Sequence, residues 1–172
     1  MIVVKSNKIL MIIVSLCLII VVGSLVILMN KNKGITINKS INIEVGGYNQ
    51  VLKVDKVYYN YVTNNDKYVK LDIEIDNKKN VESMTSLHRF ILLDSNNNEI
   101  VDCYHAGILP DSNISGIFPN VIKASGNTVG SLYCPTTEKD IKKLEVVVIS
   151  GGKLDENMQA TYEYEKYDIE LK

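Results

Sequence analysis

Two hydrophobic periods divide the chain. Residues 9–29, ILMIIVSLCLIIVVGSLVILM, contain no charged residue and no Asn, Gln or Pro. As a helix rising 1.5 Å per residue this run spans roughly 31 Å, the thickness of a bilayer's hydrocarbon core. A segment apolar on every side and flanked by lysines has no natural place as the core helix of a small β domain. Cleavable signal peptides have shorter apolar regions ending in small residues, whereas here the apolar run continues from Leu25 to Met29. The expectation is an uncleaved transmembrane anchor.

After residue 30 the pattern changes. NKNKGITINKS, residues 30–40, is polar and reads as a linker. The period then becomes two. In KYVKLDIEID, residues 67–76, Val69, Leu71, Ile73 and Ile75 share one face while Lys70, Asp72, Glu74 and Asp76 share the other. That is a strand with one buried and one wet face. Similar runs occupy 41–45, 51–62, 89–94, 99–104, 128–134, 143–150 and 161–171, with turn-forming stretches such as TNND, DNKKN, SNNN and SGG between them. Only TTEKDIKK, residues 136–143, reads as a helical turn. Short strands with no amphipathic helix between them predict an all-β fold, an antiparallel β-sandwich over residues 41–172. Within 51–62, Leu52 and Val54 are out of phase with Val57, Tyr59 and Tyr61, so an extra residue, a β-bulge, is expected near Asp55 or Lys56.

Charge changes the picture in one respect. The whole chain carries −1, but its first 34 residues hold four of the 19 basic residues and none of the 20 acidic ones, which leaves the remainder at about −5. Lysines in that remainder alternate with acidic residues, so no basic patch exists to bind nucleic acid. Flanking lysines are nearly balanced across the apolar run, and the positive-inside count alone does not orient it. Cys17 lies within this run behind Leu16, too large for a lipid-attachment site, and reads as a plain thiol.

Three stretches in order, YVKLDIEIDNKKN, FILLDSNNNEI and ASGNTVGSLYCP leading through KDIKKLEVVV, resemble the telokin-like, immunoglobulin-fold domain of unknown function found in bacterial membrane-anchored proteins and lipoproteins. The resemblance covers roughly residues 42–150. Cys134 departs from it, standing where an ordinary apolar residue is usual, as does the lack of a lipid-attachment cysteine. It implies an immunoglobulin-like sandwich on the extracytoplasmic side of the cell membrane, hence a cytoplasmic amino terminus at 1–8, the anchor at 9–29 and the linker at 30–40. It carries no catalytic residue or cofactor across.

The chemistry left to consider is sparse. VDCYHAG, residues 101–107, places Cys103 and His105 on one face of a strand, and a neighbouring Cys134 with a remote His88 would complete a zinc set or a thiol enzyme. The spacing matches no paired metal motif. The bland alternatives are two buried thiols or a Cys103–Cys134 disulfide, and the disulfide is favoured because an oxidising exterior permits it. No catalytic or metal-binding residue is assigned. Asp94, Asn96 and Asn98 imitate the start of a calcium loop, but Glu99 stands where glycine is needed, so a hairpin turn is expected. Candidate binding residues are Tyr58, Tyr59 and Tyr61, with Tyr58 facing away from the other two, and Ile117 and Phe118, expected exposed in the long loop 108–127. The expected function is that of a membrane-anchored extracytoplasmic interaction module with a protein or cell-envelope partner. The alternative from another class is a metal-dependent or thiol enzyme using Cys103, His105 and Cys134, and a third reading is an architectural part of a cell-envelope assembly.

Overall fold

The computed structural model describes residues 13–21, 33–63, 66–106, 114, 116–154 and 158–172. It contains two compact units, residues up to Lys33 and Gly34–Lys172. In the first, residues 13–21 are helical, with large apolar side chains from Ile13 to Val21 exposed around the helix. Among the described residues no helix is long and apolar enough to cross a membrane. The rest of the expected anchor, 9–12 and 22–29, and the expected cytoplasmic terminus 1–8 lie outside the described residues.

The second unit is mostly strand: β1 (Ile35–Ile43), β2 (Gln50–Thr63), β3 (Asp66–Asn77), β4 (Ser83–Met84), β5 (His88–Leu93), β6 (Glu99–Asp102), β7 (Val121–Ile122), β8 (Gly126–Cys134), β9 (Lys143–Leu154) and β10 (Ala160–Glu170). One sheet has the order β1-β2-β3-β8, a second β10-β9-β5-β6, and β4 pairs with β7 separately. Every ladder is antiparallel. Alternation explains the layering. Val69, Leu71, Ile73 and Ile75 of β3 point inward with Leu52, Val54 and Val57 of β2, and meet Phe90 and Leu92 of β5 and Leu144, Val146 and Val148 of β9 in one buried cluster. The architecture is an all-β sandwich.

Two bulges adjust β2. Val54 faces Ile73 and Lys56 faces Asp72, so Asp55 is the extra residue that restores Val57 to the core. The second lies between Tyr58, opposite Lys70, and Tyr61, opposite Tyr68, with Asn60 at φ 56°. β1 starts at Ile35, inside the stretch read as linker, because Ile35 and Thr36 pair with Val57 and Lys56. Residues 136–143 form no helical turn. Ile141 is drawn fully into the core while the Lys142 N–H donates to the Leu93 carbonyl at 2.9 Å, and this tertiary pairing overrides the local preference. Beyond Ser150 the β9–β10 ladder runs on as a two-stranded arm bearing the exposed Tyr162 (52%), and Tyr164 (56%), opposite Ile149, is exposed at its base.

Between β6 and β8 the chain changes sheets. The Cys103 N–H still donates to Phe90 O of β5 at 2.7 Å, but Tyr104 exchanges two hydrogen bonds with Tyr133 of β8, at 2.7 and 3.1 Å. Residues 116–118 return to the same edge: Ser131 N–H donates to Gly116 O, and Phe118 N–H to Ser131 O, both at 2.8 Å. Phe118 is therefore fully buried, against the exposure expected of it, and Ile117 is half-buried and bridged to Ser131. Gly130 permits this approach, since a Cβ there would lie 2.6 Å from the Phe118 Cα.

Candidate functional site

Cys103 and Cys134 are joined by a disulfide across the sheet change. A thiolate is the form that attacks carbonyls or binds zinc, so the bond removes both sulfurs from the zinc or thiol-enzyme set with His105. His105 is itself buried, its ring 6.1 Å from that of Phe90, and burial lowers its pKa. His88 is a core residue whose ring stacks 6.1 Å from that of Phe90, with Nε2 3.2 Å from Gln50 Oε1. Burial above all brings its pKa down to about 4. Among the described residues no group of three or more His, Cys, Asp or Glu side chains is placed to hold a metal.

The Asp94 stretch is a hairpin turn between β5 and β6. Asp94 Oδ1 accepts the N–H groups of Asn96 and Asn98, each at 2.8 Å, and Oδ2 accepts from the Asn98 side chain at 3.0 Å. These bonds, led by the Asn98 amide, hold the carboxyl below its ordinary range. Both oxygens are thus engaged by the turn itself.

Tyrosines gather on the outer face of the first sheet. Because the Asn60 bulge consumes one position, Tyr58 and Tyr61 emerge on the same side and meet edge to face at 6.0 Å, while Tyr59 turns inward against the core. This reverses the expected separation of Tyr58 from Tyr61. Tyr133 completes the group, 5.9 Å from Tyr61 and 5.8 Å from Tyr68. Such edge-to-face pairs are worth about 0.5–1.5 kcal/mol beyond their area. Lys70 Nζ stands 4.6 Å from the Tyr58 ring centre and 5.1 Å from that of Tyr61, within cation–π range.

Asp72 anchors the cluster. It accepts from Ser131 Oγ at 2.7 Å, Tyr58 Oη at 2.9 Å and Lys70 Nζ at 2.9 Å. Burial works to raise its pKa, but the bonds from Lys70, Ser131 and Tyr58 outweigh it and hold the carboxyl below its usual range. The Tyr58 phenol is pushed up to about 12, by burial first and next by its hydrogen bond to Asp72. Tyr133 also reaches about 12, from burial and then from Tyr61 and Asp72. The result is an aromatic cluster around one ion pair, with Tyr58, Tyr61 and Tyr68 half-buried on the outer face and Tyr133 buried beside them. Of the residues singled out in the sequence, Tyr58 and Tyr61 belong to it; Tyr59 and Phe118 do not. Lys70, Asp72, Ser131 and Tyr133 were missed, although Tyr68, Lys70 and Asp72 share one strand parity and Ser131 and Tyr133 another.

No protein-family model matches the chain, and no curated protein matches it. A similar solved structure is the crystal structure of a functionally unknown protein from Listeria monocytogenes EGD-e, 15% identical with a TM-score of 0.46, covering 81% of this chain and 87% of that one.

Proposed function

We propose that the chain is a single-pass membrane protein with its amino terminus in the cytoplasm and an immunoglobulin-like, telokin-like sandwich outside, acting as a non-catalytic interaction module for a protein or envelope partner. The observation that carries this reading is the Cys103–Cys134 disulfide, since such bonds persist in oxidising compartments and are rare in the cytosol. The uncharged run at 9–29 and the exposed apolar side chains at 13–21 support the anchor, because exposed apolar surface of that kind calls for a lipid or protein cover. The contact surface in this reading is the face bearing Tyr58, Tyr61 and Tyr68. Protease treatment of intact cells tests the topology: the sandwich should be shaved from the surface, and its full protection overturns the reading. Photo-crosslinking from position 61 should then trap a partner that a Tyr58→Ser/Tyr61→Ser variant fails to retain.

A further inference from the structure

Gln50 and Asn77 face each other where β2 begins and β3 ends, and beside them a cavity of about 260 Å³ opens at that end of the sandwich. It is far from the tyrosine face. Gln50 and Tyr61 lie opposite Asn77 and Tyr68, nine positions apart on β3, roughly 30 Å at strand rise.

The cavity has a buried polar floor. Gln50 is 1% and Asn77 2% exposed, and buried amides must be satisfied. Asn77 is fully committed to shaping the turn after β3: Nδ2 donates to the carbonyls of Val81 (2.8 Å) and Lys123 (3.0 Å), and Oδ1 accepts the Lys79 N–H at 3.1 Å. Gln50 is not. Its Nε2 donates one hydrogen to Ser83 Oγ at 2.8 Å, and its Oε1 faces His88. A second amide hydrogen remains, and Ser83, having accepted one bond, still has its O–H to give. Lys79 and Glu82 also line the cavity, and neither forms an ion pair among the described residues. Val81, Met84 and Leu87 supply an apolar wall, each substantially exposed.

Hydrogen-bond donors with a cation, a separate carboxylate and an apolar wall together complement a small zwitterion that carries an apolar side chain. We propose that this cavity binds a free apolar α-amino acid. Its carboxylate is received by Ser83, Gln50 and Lys79, its ammonium by Glu82, and its side chain by Val81, Met84 and Leu87. The volume falls below the roughly 300–1,000 Å³ of sites for drug-sized ligands, as a single amino acid requires. The carboxyl end of a peptide shares the carboxylate and side chain but lacks the ammonium, so Glu82 separates the two sources.

The test titrates the full chain, ¹⁵N-labelled in detergent micelles, with L-leucine, N-acetyl-leucine and leucinamide. Leucine should saturably shift the amides of Gly47, Ser83 and Met84, and each analogue, missing one charge, should bind about tenfold more weakly. Lys79→Gln and Ser83→Ala should each weaken leucine about fivefold, as expected for one lost hydrogen bond, and Glu82→Gln should bring N-acetyl-leucine level with leucine. A Tyr58→Ser/Tyr61→Ser variant should bind leucine unchanged, which keeps this result separate from the fate of the tyrosine face. Equal affinity for all three compounds overturns the proposal, and so does the absence of saturable shifts at about 10 mM leucine. N-acetyl-leucine binding the unaltered chain as tightly as leucine overturns the free amino acid as its occupant.

Discussion

Replacing Cys103 and Cys134 together by alanine removes a cross-link between positions 31 apart in sequence. Closing a loop of that length takes about 3.7 kcal/mol of entropy from the unfolded chain at 25 °C. Natural domains are stable by only about 5–15 kcal/mol, so the variant should remain folded but marginal. Its native architecture has a second tie at the same place, because the Tyr104–Tyr133 pair holds the crossing strand without the sulfurs. Urea unfolding of Gly34–Lys172 can follow tyrosine emission, since the chain has 10 Tyr and no Trp. With a urea slope of about 2 kcal/mol per molar, the midpoint should fall by nearly 2 M. Thiol counting supplies the control. The denatured full chain should show one reactive thiol, that of Cys17, before reduction and all three cysteines after it. Three thiols without reductant, or a stability loss below about 1 kcal/mol, would refute the reasoning from loop entropy.

Acid should destabilise the sandwich through its buried histidines. His88 has a folded pKa of about 4 against an ordinary 6.5, so the unfolded chain binds the proton more tightly, and stability is lost as pH falls from about 6.5 to about 4, by roughly 3 kcal/mol in all. His105 shifts in the same direction, and a flat urea midpoint between pH 7 and pH 4.5 would contradict both. Gly130→Ala sets a Cβ 2.6 Å from the Phe118 Cα and should cost about 1–3 kcal/mol by overpacking. Gly126→Ala, whose nearest neighbour atom is 3.7 Å away, should leave the melting temperature almost unchanged. Asp72→Ala strips Tyr58 and Ser131 of their acceptor and should cost about 1–3 kcal/mol. In a spectrophotometric titration Tyr58 should then ionise at lower pH, yet still above its ordinary value, because burial is the larger cause of its shift.

What the sequence disclosed depended on whether the deciding contact was local. The alternation of β3 named the buried side chains Val69, Leu71, Ile73 and Ile75 directly, and the phase break at Asp55 located a bulge, because both are recorded within a few residues. The Asn60 bulge left no such record. An aromatic at 58, 59 or 61 suits either face of a sheet, so only pairing with Lys70 and Tyr68 decides which ones meet. Phe118 looked like loop because its partner Ser131 lies 13 positions later, across a glycine whose missing side chain makes the room. His88 looked like a remote ligand for the same kind of reason, since Gln50, 38 positions earlier, is what gives it a place in the core.

The arm formed by β9 and β10 beyond Ser150 gives the domain an uneven stiffness. At its root, Leu144, Val146 and Val148 are fully buried and β9 is flanked on both sides by β5 and β10, so opening there approaches global unfolding. Toward Leu154 each strand has only the other, without a core beneath, a situation in which a lone hairpin is barely stable in water. Amide exchange should therefore quicken steadily from Val148 outward along a single ladder. A body gripping the tip would feel a spring anchored in a rigid block, and force applied there would peel this pair of strands before it disturbed the sandwich.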